Sequence, residues 1–207
     1  MKLCELLESP FRATEPFKDY SEDQIHPMKA AFKLAKSVFK FENEKFELKE
    51  IRNGNRTTYG LVRSDDQMLL GWMMLSKNSH HEKSYLDFDM IYVLPQFRKP
   101  NVIILLLKGV RADTELPWWI NGSVFAGGER VITTISKMKM FDVKTVNVKT
   151  GEERDFSSSD IDDVRAAIVV EDSGNYGTGW LFEYHLFPFS DVKTYTSVSS
   201  EYHNVDW

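Results

Sequence analysis

Met28, Ala31, Phe32, Ala35, Val38 and Phe39 recur at the spacing of one helix face, and Pro27 sits where a first helical position would fall. Lys29, Lys33, Lys36 and Lys40 lie largely on the opposite side. The pattern then changes to strands. Residues 46–52 alternate loosely, Asn53-Gly54-Asn55 marks a tight turn, 56–63 is rich in β-formers, and Ser64-Asp65-Asp66 marks a second turn. Residues 67–76 read as a third strand, 77–83 as a polar loop and 85–94 as a fourth strand. Turns this short imply an antiparallel meander.

Beyond it, 95–101 reads as a loop. Residues 102–112 are apolar almost all round, the mark of a helix buried against a sheet. Residues 117–125 suit a strand, Gly127-Gly128 a break, 129–139 a second helix and 140–149 a further strand. The order β-β-β-β-α-β-α-β predicts an α/β or α+β core. The flanks are less regular. Leu3, Leu6 and Leu7 suit a short helical turn ahead of Pro10, Pro16 and the acidic Glu22-Asp23. Residues 150–163 read as an acidic loop with a short helix at 158–163. Strands are expected at 166–171 and 180–187 around the glycine-containing turn 172–179, before a Ser, Thr and Tyr-rich stretch at 190–207. The expected division is an arm at 1–25, a core at 26–149 and an extension at 150–207 packed on that core.

Composition narrows the picture. A chain of 207 residues with 42% hydrophobic content can bury one sizeable core. Lys and Arg total 26 against 31 Asp and Glu, and the net charge of -5 disfavours a polybasic coat for nucleic acid or membrane. The single Cys4 excludes an intrachain disulfide and a thiolate zinc cluster, and points to the reducing cytoplasm. Glu5 and Glu8 interrupt any apolar leader at 1–10. The apolar run 102–107 falls far short of the roughly 20 residues of a membrane span.

Candidate chemistry centres on 85–108. A strand ends at Pro95, and a loop carrying Arg98 and Lys99 leads into a helix N-terminus, where unpaired N–H groups favour an anion. Period two along the strand puts Asp87, Asp89, Ile91 and Val93 on one face and Leu86, Phe88, Met90, Tyr92 and Leu94 on the other. Other groups have plainer readings: His80-His81-Glu82 as a polar loop, Glu183 and His185 as a cross-strand pair, and Trp118, Trp119 and Trp180 as core aromatics.

The stretch around Val93, Pro95 and Arg98 resembles motif A of the GCN5-related N-acetyltransferase (GNAT) superfamily. There a V-x-P strand end precedes a basic, glycine-containing pyrophosphate loop and a helix. The following strand and the 129–141 segment, with Ile132, Ile135 and Phe141, match the family order, so the resemblance covers roughly 56–149. It implies an α/β (α+β) fold with a mixed, mostly antiparallel central sheet flanked by helices. It also implies that the strand carrying Asp87 and Asp89 is central and splays from its neighbour to form a cleft. By the same resemblance, the Ile91 and Val93 backbone would pair with a pantetheine arm. Arg98, Lys99 and the backbone at Asn101, Val102 and Ile103 would hold the pyrophosphate. Asp87 or Asp89 would act as base, and Ser136 stands where the family often has a general-acid tyrosine. Asn101 and Ile103 replace the loop glycines, Pro100 precedes them, and Met140 replaces a further glycine.

The resemblance thus implies an acyltransferase that takes acetyl-CoA or a related acyl-CoA and an amine. Two alternatives stay open. One is a non-catalytic interaction protein on the same scaffold, akin to degenerate family members encoded by bacteriophages. The other is a nucleic-acid-modifying enzyme using a basic track of Lys29, Lys33, Lys36, Lys40 and Arg98. No membrane partner is expected, and no oligomeric state is legible.

Overall fold

The structure, a computed structural model, describes residues 19–40, 45–80, 83–98, 100–121, 128–147, 150–157 and 182–189. The expected turn at Leu3–Leu7, Lys99, the short helix at 158–163, the strand at 166–171, Trp180 and the 190–207 stretch lie outside these residues. Helix α1 spans Glu22–Leu34. It starts well ahead of Pro27, which lies inside it. Ser21 caps it, and its backbone N–H donates to Gln24 Oε1 at 2.9 Å. Ser-x-x-Gln is a capping box, and Glu22 and Asp23 suit the positive end of the helix dipole. The helix stops at Ala35, which is extended. Val38 and Phe39 therefore belong to strand β1, Ser37–Lys40, paired with β2. The lysine face breaks accordingly: Lys29 and Lys33 are on α1, Lys36 lies past its end, and Lys40 is on β1.

Strands β2 (Phe46–Asn53), β3 (Arg56–Arg63), β4 (Met68–His80) and β5 (Lys83–Val93) form the expected antiparallel meander. Gly54, at φ +61°, closes the β2–β3 hairpin with the left-handed conformation that glycine adopts without strain. The expected loop at 77–83 is mostly strand, because Lys77, Asn78, Ser79 and His80 pair with Leu86, Tyr85, Ser84 and Lys83. Polar residues are tolerated there because the pairing satisfies their backbone while Lys77 and Ser79 stay exposed.

After a 3-10 turn at Pro95–Phe97 come helix α2 (Pro100–Asp113), strand β6 (Trp118–Asn121), helix α3 (Gly128–Lys137) and strand β7 (Phe141–Asn147). Two further strands, β8 (Glu153–Asp155) and β9 (Phe182–Pro188), join them, and the described residues form one mixed, mostly antiparallel nine-stranded sheet in the order β1-β2-β3-β4-β5-β6-β9-β7-β8. Among the described strands only β5 and β6 run parallel. Strand β9, from the segment expected to pack on the core, lies within the sheet between β6 and β7.

The sheet separates two apolar clusters. On one face, α2 and α3 pack Ile104, Leu106 and Ile135 against Leu75, Trp118 and Leu186. On the other, Ile25, Met28 and Phe32 of α1 pack against Val62, Trp72 and Tyr92. Phe32 lies so close to the sheet that a Cβ on Gly60 would meet its ring at 2.6 Å.

Candidate functional site

Strand β5 does not keep one alternation along its length. Met74 pairs with Met90 and Leu75 with Phe88, so Asp89 is the extra residue of a β-bulge. The bulge shifts the phase of every later side chain. Leu86, Phe88, Ile91 and Val93 all join the α2 cluster, whereas Met90, Tyr92 and Leu94 join the α1 cluster. Asp87 and Asp89 share the α1 face with Ser76 and Asn78, to which they are hydrogen-bonded. The expected single face of Asp87, Asp89, Ile91 and Val93 is therefore corrected: the two aspartates and the two aliphatics lie on opposite faces.

The register draws a row of side chains across that face. Arg56 stands opposite Ser76, Ser76 opposite Asp87, Asp87 beside Trp119, Trp119 opposite His185, and His185 opposite Lys144. Among the described helices only α1 packs on this face, and it covers the β2–β4 side. Trp119 stacks on Tyr85 with centroids 3.7 Å apart and on His185 at 4.1 Å. The row thus has a charged half and a ring-stacked half.

The charged half is tied together. Ser76 Oγ donates to Asp89 Oδ2 at 2.5 Å. Arg56 Nε donates to Ser76 Oγ at 3.3 Å and lies 3.4 Å from the same Asp89 oxygen. Asn78 Nδ2 donates to Asp87 Oδ2. Both Asp89 contacts fall on Oδ2, and Oδ1 has no hydrogen bond among the described residues. The Asp89 side chain is 26% exposed, and the bulged main chain adds to the exposure of the residue. Burial pushes the Asp89 carboxyl above its ordinary value. The Ser76 hydrogen bond and the Arg56 charge pull it back, and Asp87 adds a smaller push upward.

Asp89 also marks the place where β5 loses its parallel neighbour. Among the described residues the ladder between β5 and β6 consists of Leu86 with Trp118 and Asp87 with Trp119, and goes no further. The Leu94 N–H bonds the Leu70 carbonyl on β4, so by strand alternation the backbone groups of Ile91 and Val93 point the other way, to the unpaired edge. Arg98 Nε donates to the Val93 carbonyl at 3.1 Å.

The remaining expected site residues are placed differently. The Arg98 guanidinium pairs with Asp19, which precedes α1, and lies over the Tyr92 ring at 5.6 Å. Asn101 is exposed in the first turn of α2, whereas the side chains of Val102 and Ile103 are buried in the α2 cluster. Any anion there would meet backbone and not those side chains. Ser136 is on α3, across the sheet from the aspartates, and its Oγ donates to the Thr133 carbonyl at 2.9 Å. The structure does not bring it to Asp87 or Asp89. Among the described residues no cluster of three or more His, Cys, Asp or Glu is arranged to hold a metal, and no helix is long and apolar enough to cross a membrane.

Sequence reasoning missed Arg56, Ser76 and Asn78. The available signal was hairpin length: the turn after β3 sets Arg63 opposite Met68, and one bulge at Leu70 then brings Arg56 opposite Ser76. No known protein-family model matches the chain, and no curated protein matches it.

Proposed function

We propose that the chain is an acyltransferase of the GNAT type, moving an acyl group from an acyl-CoA such as acetyl-CoA to an amine. The observation that carries this reading is the position of Asp89. It is a partly buried carboxylate with one unbonded oxygen, on a strand bulge where a parallel pair opens. The central, splayed strand is what the family resemblance implies for the cleft.

In this reading Asp89 Oδ1 takes a proton from the acceptor ammonium. The neutral amine then attacks the thioester carbonyl, the C–N bond forms, the C–S bond breaks, and the leaving thiolate takes up a proton. Burial of the base supports this role, because a carboxyl pushed up toward the working pH holds an abstracted proton better. The unpaired edge at Ile91 would pair with the amide groups of the donor's arm. The donor's phosphates would have to draw Arg98 from Asp19, and an exposed ion pair of that kind is worth only about 0–1 kcal/mol.

The competing reading is a non-catalytic interaction protein on this scaffold. It is favoured by the placement of Ser136, which leaves no hydroxyl from α3 beside Asp89 to protonate the leaving thiolate. Acetyl-CoA decides between them. A rise in melting temperature with millimolar acetyl-CoA, and transfer to an amine panel that is lost in Asp89→Asn, supports the enzyme. An unchanged melting temperature together with no transfer supports the interaction protein.

A further inference from the structure

We infer that Arg56 and Ser76 are positioning residues for the Asp89 carboxylate, a hydrogen-bonded pair that clamps one oxygen and turns the other toward the open edge of β5. This rests on the acyl-transfer reading of Asp89, but it makes a separate claim about two residues that the family resemblance does not mark.

Asp89 is a bulge residue, and a bulged strand lacks the regular pleat that would otherwise fix where its side chain stands. Something else must hold the carboxylate. Ser76 and Arg56 come from two different strands, β4 and β3, and stand opposite one another in register. Ser76 is itself buried, so its hydroxyl has a restricted set of partners. It accepts from Arg56 Nε and donates to Asp89 Oδ2, so the guanidinium orients the hydroxyl and the hydroxyl orients the carboxylate. The direct approach of Arg56 to the same oxygen reinforces that choice. A carboxylate held through Oδ2 in this way presents Oδ1.

The arrangement has an electrostatic consequence. Arg56 from β3 and Asp87 on β5 are the charged groups that act on Asp89 among the described residues, and β6 contributes Trp119 beside Asp87. Arg56 and the Ser76 hydroxyl both favour the ionised carboxylate, and burial and Asp87 oppose it. Removing either partner therefore moves the protonation midpoint upward, and activity that needs the ionised form fails at a higher pH.

The experiment uses the full chain as wild type, Ser76→Ala, Ser76→Thr, Arg56→Gln and Arg56→Lys. The first reading is the Asp89 carboxyl carbon, followed by NMR through a pH titration and assigned with Asp89→Asn. The second is the pH profile of kcat/KM for acetyl transfer to an amine. Ser76→Ala and Arg56→Gln should each move the Asp89 midpoint and the acid limb of the profile to higher pH. Each should also lower the plateau of kcat/KM by about ten-fold, as expected of a misaligned base. Ser76→Thr keeps the hydroxyl and Arg56→Lys keeps the charge, so both should recover part of the loss. An Asp89 midpoint that stays put in both Ser76→Ala and Arg56→Gln overturns the inference. Transfer that persists in that case leaves the acyltransferase reading standing. A midpoint that moves in those variants, with no transfer even by the wild type, upholds the clamp and removes the acyltransferase reading instead.

Discussion

The face of the sheet under α2 and α3 is closed by Ile104, Leu106, Trp118 and Leu186, all buried and all apolar. The face that carries α1 holds Phe32 and Trp72 over the β2–β4 side, then gives way to Arg56, Ser76, Asp87, Asp89, Trp119 and His185 along one row. Both faces belong to the same strands, so each strand contributes stability with one set of side chains and polar chemistry with the other. The contrast teaches where substitutions should be felt as lost folding and where as lost chemistry.

The largest effect is expected on the closed face. Trp118 is fully buried, and its Nε1 donates to Thr114 Oγ1 at 3.0 Å. Trp118→Ala should cost about 3–5 kcal/mol in denaturant unfolding, because it leaves a cavity between α2 and the sheet. A cost below about 1 kcal/mol would show that this face is not the main core. Next is the open face, where the proposed acyl transfer predicts that Asp89→Asn lowers kcat/KM by about 100-fold or more, the usual contribution of a general base. Its stability should move the other way. Burial raises the folded-state value of Asp89, so the ionised carboxylate costs stability at neutral pH. The Asn variant should be the more stable one there. That advantage should vanish as pH falls through the raised folded value and below the ordinary carboxylate value, where both folded and unfolded chains carry a neutral Asp89. Thermal melts at neutral and acid pH read both limbs.

A smaller effect tests the dry part of the α1 face. Gly60→Ala would press a methyl into the Phe32 ring, and overpacking of this kind costs about 1–3 kcal/mol. Phe32→Leu in the same chain should recover part of it, and a double variant no better than the sum of the single costs would disprove that contact. The smallest effect is expected at the rim. Arg63 forms a two-bond pair with Asp66 in an exposed turn, and Asp66→Ala should shift the denaturant midpoint least of all these variants. That change should shrink further at high salt.

The contrast between faces was only half legible in the sequence. The order from β2 to β7 could be read because its turns and helices carry local signals: Asn53-Gly54, Ser64-Asp65-Asp66, and the all-round apolar α2. The start of α1 was legible too, in Ser21 and Gln24, but Pro27 was the louder signal and pointed to a later boundary. The bulge at Asp89 was hidden. From Met90 to Leu94 every residue is apolar, so a shift of phase by one leaves no trace in the alternation. The Arg56–Ser76–Asp89 cluster was hidden for a different reason. It exists only once three strands are in register, and registry across strands is a property of pairing and not of any one segment.

The place of β9 has a consequence for how the chain reaches this state. Strands β6 and β7 are separated in the sheet by a strand that comes from residues 182–188. Until that segment is made and inserted, both strands have an inner edge with no partner, and Trp118, Ile120 and Val143 lack the Leu186 and Tyr184 that flank them. The meander from β2 to β5 can assemble from near neighbours, whereas the second half must wait for a closure over long sequence separation. Closing the second half is therefore the step expected to be slow, and until it occurs the inner edges of β6 and β7 are open to pairing with another chain.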